Sequence, residues 1–268
     1  MAARRAVLSV GSILLALALW PGPGVGDEPI KVGGTGAAMR AMELAGAALD
    51  GVKVVVLPGL GSRGGKQAVA AGVIDLAVSA DPLSADEESD GLKARVLGRT
   101  AFVFVVSAQS PMSSLSLQEA MDLYRGKTLT WPDGGRVRPI LRPQLDSDTT
   151  FLRKMSPAMD QAVTEAHARP GMRVAPTDGE AADAVEAVPG AMGTSTLALI
   201  VAERRPLKAL AINGVRPTAE SVRNGSYPHA KTLYLISRAP RPNVQRFLDF
   251  LASAPGRAVL AGLGFAAP

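Results

Sequence analysis

Between Val54 and Ser84 the chain reads VVVLPGLGSRGGKQAVAAGVIDLAVSADPLS. Apolar β-branched residues run into a Gly-Ser turn, a short helical stretch, a second apolar strand and an Asp-Pro turn. A strand that feeds a helix through a tight turn must pack helix on sheet, which points to an α/β fold. A glycine-rich turn that opens a helix also presents backbone N–H groups at the positive end of the helix dipole, a ready anion site. Glycine lets an oxyanion approach the backbone closely, and the Ser62 hydroxyl adds a donor.

The same alternation runs through the chain. Strands are predicted at Ile30–Gly33, Val52–Leu57, Ile74–Val78, Phe102–Ser107, Val137–Leu141, Leu207–Ile212 and Thr232–Ser237. Helices are predicted at Ala37–Leu49, Gly65–Ala71, Leu117–Leu123, Thr149–Met155, Pro157–Ala168, Gly179–Ala187, Ser195–Glu203 and Asn243–Ala254. Strands alternating with helices give mostly parallel sheets. Phe102–Ser107 and Thr232–Ser237 read as two crossings between lobes. The expected division is therefore residues 27–104 and 229–268 in lobe 1 and 105–228 in lobe 2, with a cleft that closes on a ligand.

Three strand-to-helix turns share one character. They are Gly33–Met39, Gly59–Gly65 and Asp146–Thr150. Each offers small or hydroxyl residues where open α/β sheets bind ligands. Any one of them alone is ordinary helix capping. Two from one lobe and one from the other would surround a tetrahedral oxyanion with donors. Gly59, Gly61 and Gly64 also spell a dinucleotide fingerprint, with Asp81 near the spacing of a ribose-binding acid. The helix that follows is too short for that crossover. A P-loop fails because Gln67 follows Lys66.

The ends and the composition bound the setting. Arg4 and Arg5 precede the apolar run Val7–Trp20, and Gly24 and Gly26 stand before Asp27. This is the pattern of a cleaved secretory signal peptide over residues 1–26. The apolar run is shorter than the roughly 20 residues of a membrane span; an uncleaved anchor is the alternative. Without cysteine there is no lipoprotein anchor, disulfide or thiol chemistry. The net charge is +5, falling to about +3 without Arg4 and Arg5, and the basic residues are scattered among few aromatics. Nucleic-acid binding is not expected. His167 and His229 lie far apart, Asp86–Glu88 reads as a solvated face, and no GxSxG elbow occurs. Neither a metal nor a cofactor is expected.

The run from Gly59 to Ser84 closely resembles the signature of substrate-binding proteins of phosphate ABC transporters, which are type II periplasmic binding proteins. GGTGAAM resembles the family's first anion loop, and LRPQLDSDTTF its arginine followed by a helix start. INGVRPTAESVRNGSYPHAKTLYLIS strongly resembles its tail. The resemblance spans most of residues 30 to 253. It implies an α/β, two-lobe fold with hinge strands and a central ligand cleft, and a monomer in the periplasm. It implies capture of an oxyanion, phosphate first, and delivery to a membrane permease without covalent chemistry. A sensor or adaptor on the same fold, and an exported enzyme, are the alternatives.

Carried over by position, the resemblance implies a site of Thr35, Gly36, Ala37, Ala38 and Met39 in the first loop and Ser62, Arg63 and Gly64 in the second. Asp81 comes from the Asp-Pro turn. Arg142 is the bidentate clamp, and Ser147, Asp148 and Thr149 open the third helix. Three positions depart from the family pattern. Ala38 replaces a threonine. Asp81 is shifted by one residue within its turn, and since successive residues face different directions, whether its carboxylate faces the ligand is open. Asp148 replaces a glycine, and beside an anion it repels unless a proton is shared. Three readings are open for Asp148: proton acceptor for the ligand, mark of a different ligand, or solvent-facing cap.

Overall fold

The computed structural model describes residues 28–266; the expected signal peptide over 1–26 lies outside them. The chain begins with β1 (Ile30–Gly34), α1 (Met39–Ala47), β2 (Val54–Leu57), α2 (Gly61–Ala70), β3 (Leu76–Ser79) and the short α3 (Ala85–Ser89). The long β4 (Lys93–Ser107) leads to β5 (Ser114–Leu115), α4 (Leu117–Arg125), β6 (Arg138–Leu141), α5 (Ser147–Met155) and α6 (Pro157–Ala168). Then come β7 (Arg173–Val174), α7 (Asp178–Ala187), β8 (Ala191–Thr196), α8 (Leu197–Glu203), β9 (Leu207–Ala209), β10 (Ala211–Ile212) and α9 (Ala219–Arg223). The last stretch is β11 (Ala230–Ser237), α10 (Pro242–Ala252), α11 (Ala254–Gly262) and β12 (Phe265–Ala266).

The main sheet is ordered β2-β1-β3-β11-β4-β8-β6-β7, with β9 and β12 also on β4. β4 joins the two halves. Residues 93–101 pair with β11, and from Phe102 onward the strand pairs with β8 and then β9. The chain returns at His229–Ala230, where the His229 carbonyl accepts from the Phe102 N–H at 2.8 Å. Inside each half the crossovers give parallel pairs: β1 with β2 and β3, β6 with β7 and β8. The crossing strands β4 and β11 run antiparallel to their neighbours, so the sheet is mixed rather than mostly parallel.

Each half has its own apolar core. Ile30, Val32, Met42, Leu76, Phe247 and Phe265 anchor the first; Phe102, Phe104, Tyr124, Ile140, Met159 and Tyr227 anchor the second. α10 returns to the first half by its buried stripe Val244, Phe247, Leu248 and Leu251, spaced as one helical face. Full burial of such side chains stabilises by roughly 1.5–3 kcal/mol each. α8 reaches across: Ala198 and Ala202 are buried in the first core, against α1 and the 3-10 turn Gly36–Ala38.

Two glycines bring the first two turns together. Gly34 has φ +122°, and a Cβ there would stand 2.0 Å from the Val78 carbonyl oxygen. A Cβ on Gly65 would stand 2.8 Å from the Gly34 Cα. Only the absence of both side chains lets the start of α2 lie on the end of β1.

Candidate functional site

The carboxyl end of β1, the opening of α2, the turn after β3, the end of β6 and the openings of α5 and α7 meet at one cleft of about 690 Å³. This is the strand-end position at which open α/β sheets bind ligands. Eight of the predicted site residues border it: Thr35, Gly36, Met39, Ser62, Arg63, Asp81, Arg142 and Ser147. Five do not. Ala37 and Ala38 turn into the first core and are 3% and 1% exposed. Gly64 is set back from the cleft on α2. Asp148 and Thr149 are each 2% exposed and lie behind the opening of α5.

On the first-half wall, the Thr35 N–H is bonded to the Val78 carbonyl at 2.9 Å, so this donor is already engaged. Ser62 sits in the first turn of α2, and its Oγ accepts from the Ala80 N–H at 3.0 Å. That bond leaves the Ser62 hydroxyl proton free to donate and ties the second loop to the Asp81 turn. Ser79 Oγ closes the same turn, accepting from the Asp81 N–H at 3.0 Å and donating to the Asp81 carbonyl at 2.7 Å.

On the opposite wall, Arg142 follows β6 and is 4% exposed. Its Nη1 donates to the Ala175 carbonyl at 2.7 Å; its Nη2 reaches Asp146 at 2.9 Å and Asp178 at 3.4 Å. Its buried Nε has no hydrogen-bond partner among the described residues. Thr149 Oγ1 donates to the Arg142 carbonyl at 3.2 Å and so holds the clamp from behind. The cap of α5 is Asp146, whose carboxylate accepts the Asp148 N–H at 2.8 Å.

Asp148 is thus neither a solvent-facing cap nor a wall of the cleft. It pairs with Lys231 of β11 and accepts from Thr194 Oγ1 at 2.8 Å. The Lys231 ammonium also donates to Ser147 Oγ at 3.2 Å, which frees the Ser147 proton for the cleft. The helix start draws its carboxylate inward because a buried lysine waits for it there.

The charges set the protonation of this wall. Burial pushes Asp146 up to about 6, the Asp148 charge adds to it, and Arg142 opposes. Burial and Asp148 likewise raise Asp178, against Arg142, Lys231 and the Gly36 N–H. Burial alone would raise Asp148 too, but Lys231 and then Arg142 outweigh it and hold that carboxyl low. The folded protein therefore keeps a proton on Asp146 that the unfolded chain releases near 3.8. Stability is then expected to fall as pH rises through that window, by about 3 kcal/mol at about 1.4 kcal/mol per pH unit. Melting curves between pH 4 and 7 check this: Asp146→Asn flattens the slope, and an unchanged slope assigns it elsewhere.

Asp146, Thr177, Asp178 and Lys231 were not among the predicted site residues. Thr177 and Glu180 form a capping box at the start of α7, a signal the sequence carried. Lys231 is the one cation on the buried face of β11 that it shares with Leu233 and Leu235.

Residues 22–255 match the model of a family described as a PBP superfamily domain. The chain belongs to the PBP superfamily. It is 21% identical over 201 residues to the phosphate-binding protein PstS of Borreliella burgdorferi, covering 72% of each chain. It is 26% identical over 206 residues to the phosphate-binding protein PstS of Bacillus subtilis, covering 72% of this chain and 64% of that one. A putative phosphate ABC transporter substrate-binding protein with bound phosphate from Clostridium perfringens has a similar structure. Its TM-score is 0.76 at 17% identity, over 90% of this chain and 100% of the other. These likenesses agree with the two-lobe α/β fold of periplasmic binding proteins expected above.

Proposed function

We propose that this PBP-superfamily chain is an exported solute-binding protein that captures phosphate, or a close oxyanion, for a membrane ABC transporter permease. One observation carries the reading. Donors from both halves meet in a single cleft: Gly36 and Ser62 on one wall, Arg142 and Ser147 on the other. The relatives named for phosphate binding support the choice of ligand. The partner exchange of β4 at Ala101–Phe102 and the return at His229–Ala230 support lobes of 27–104 with 229–268 and of 105–228. A ligand that touches both lobes only in the closed form shifts the open–closed equilibrium, and no bond is made or broken. The protein acts as a monomer in the periplasm.

Isothermal titration with phosphate, arsenate, sulfate and molybdate tests this. Phosphate and arsenate are expected to bind with Kd of about 1 μM or tighter, some −8 kcal/mol. Sulfate has no proton to offer the Asp146 and Asp178 carboxylates and is expected to bind far more weakly. Absence of binding by all four overturns the reading.

A further inference from the structure

Asp178 stands where a guest of this cleft belongs. It is the first residue of α7, in the second half, yet its Oδ2 lies 2.7 Å from the position of a Cβ on Gly36, in the first half. Its Oδ1 faces Arg142 Nη2 at 3.4 Å. The Gly36 N–H, at the opening of a 3-10 turn, favours its ionised form. An acid in the first helical turn is common for dipole reasons alone. A solvated first-turn acid, however, does not press against a glycine of another lobe or share a buried guanidinium. Its side chain is only 12% exposed.

We propose that Asp178 is a specificity-determining residue whose carboxylate acts as a built-in occupant of the oxyanion site, bridging Gly36 of one lobe and Arg142 of the other. An incoming oxyanion is accepted only as this carboxylate takes up a proton from solvent. The proposal rests on the oxyanion reading above and names what tunes it.

The surroundings fix the sign. Arg142 faces Asp178, and Asp146 shares the same Nη2 at 2.9 Å. Behind them lie Asp148 and Lys231, paired with each other. On its own helix, Glu180 is engaged by Thr177 at 2.8 Å. Arg205 stands 3.9 Å from the position of a Cβ on Gly179, but is paired with Asp183, Glu186 and Glu203. The 3-10 turn of the first lobe brings no charged side chain to Asp178, only the Gly36 N–H. Three carboxylates thus face two cations before any ligand arrives. A further anion is accepted most readily when one carboxyl is protonated, so binding strengthens as pH falls.

The experiment compares phosphate titrations of the wild type and Asp178→Asn from pH 5.5 to 8. The variant keeps the shape and loses the charge. It is expected to bind phosphate at least tenfold more tightly at pH 7.5, with a shallower pH dependence. Equal or weaker binding by a variant whose melting curve shows it folded overturns the proposal, while wild-type binding leaves the oxyanion reading standing. Binding by the variant alone supports the proposal and overturns the reading for the native chain. No binding by either overturns both. If the variant does not fold, the wild type decides by proton uptake on binding phosphate at pH 8, read from heats in two buffers of different ionisation enthalpy. Uptake of about one proton supports the internal carboxylate; no uptake overturns it.

Discussion

Lys231→Met is expected to remove about 3–5 kcal/mol of folding stability, the cost of leaving a buried charge without its partner. Methionine matches the length of the lysine stem, so packing changes little. The loss is electrostatic. Asp148 is 2% exposed and keeps only Thr194 as a hydrogen-bonding side chain once the ammonium is gone. The ammonium also lies 5.2 Å from the Phe102 ring centroid and 5.8 Å from that of Phe151, adding attraction that methionine lacks in charged form. Against a total stability of about 5–15 kcal/mol, this loss is large. Urea unfolding at pH 7 measures it. Adding Asp148→Asn is expected to restore much of the loss, because the unpaired charge disappears with it. The pH dependence has a definite sign. Lys231 and Arg142 hold the Asp148 carboxyl below its ordinary range, so the pair stabilises above pH about 4 and its contribution fades as pH falls through the folded value. The gap between wild type and Lys231→Met therefore narrows towards pH 3. A loss under about 1 kcal/mol at pH 7 would mean that water reaches the pair.

The sequence was most readable where local chemistry and tertiary structure agree. The GLGSRGG turn announced the opening of α2 beside β1, and Ser62 stands there. The stripe of α10 announced its packing face by period alone. It was least readable where burial overrides composition. β8 is Ala-Met-Gly-Thr-Ser-Thr, with all six residues buried. Its small and hydroxyl residues look like a loop, and the sequence pattern predicts a helix from Ser195 over its last two residues. Being central, it has neither alternation nor a large apolar run to mark it. The predicted strand begins only at Phe102, because Lys93, Arg95 and Arg99 break the apolar run of β4 before it; the first four residues of β4 are exposed. The charge pattern of the site was hidden for a different reason. Ser147 opens a helix after a strand, which local pattern places, whereas Arg142, next after β6, is placed by the family resemblance. Lys231 reaches the site only because the chain crosses back between halves, and Asp178 only because α7 packs beside the end of β6; no spacing in the sequence records either proximity. Of the two carboxylates in the third turn, Asp146 caps α5, while Asp148, two residues on, is drawn to Lys231.

Arg142→Ala is expected to weaken phosphate binding by a factor of about 100 to 1,000, because truncating one partner of a desolvated charge pair costs about 2–5 kcal/mol. The guanidinium is the only cation buried on the cleft wall among the described residues that border it, at 4% exposure, whereas Arg63 is exposed. Its Nη1 and Nη2 are tied to Ala175, Asp146 and Asp178, while Nε has no acceptor. The planar fork is therefore held rigid before any ligand arrives, which lowers the ordering cost of each bond it makes. Arg142→Lys separates charge from geometry. It keeps the cation but not the fork, and is expected to fall between wild type and Arg142→Ala. The alanine variant also leaves Asp146 and Asp178 facing each other without their shared counter-charge. Both carboxyls then hold their protons to higher pH, so the variant is expected to be least stable in alkaline buffer and to recover as pH drops towards 5. Titration calorimetry beside melting curves at pH 5 and 8 separates the two effects. Unchanged phosphate affinity in a folded Arg142→Ala protein would move the binding site away from this wall altogether.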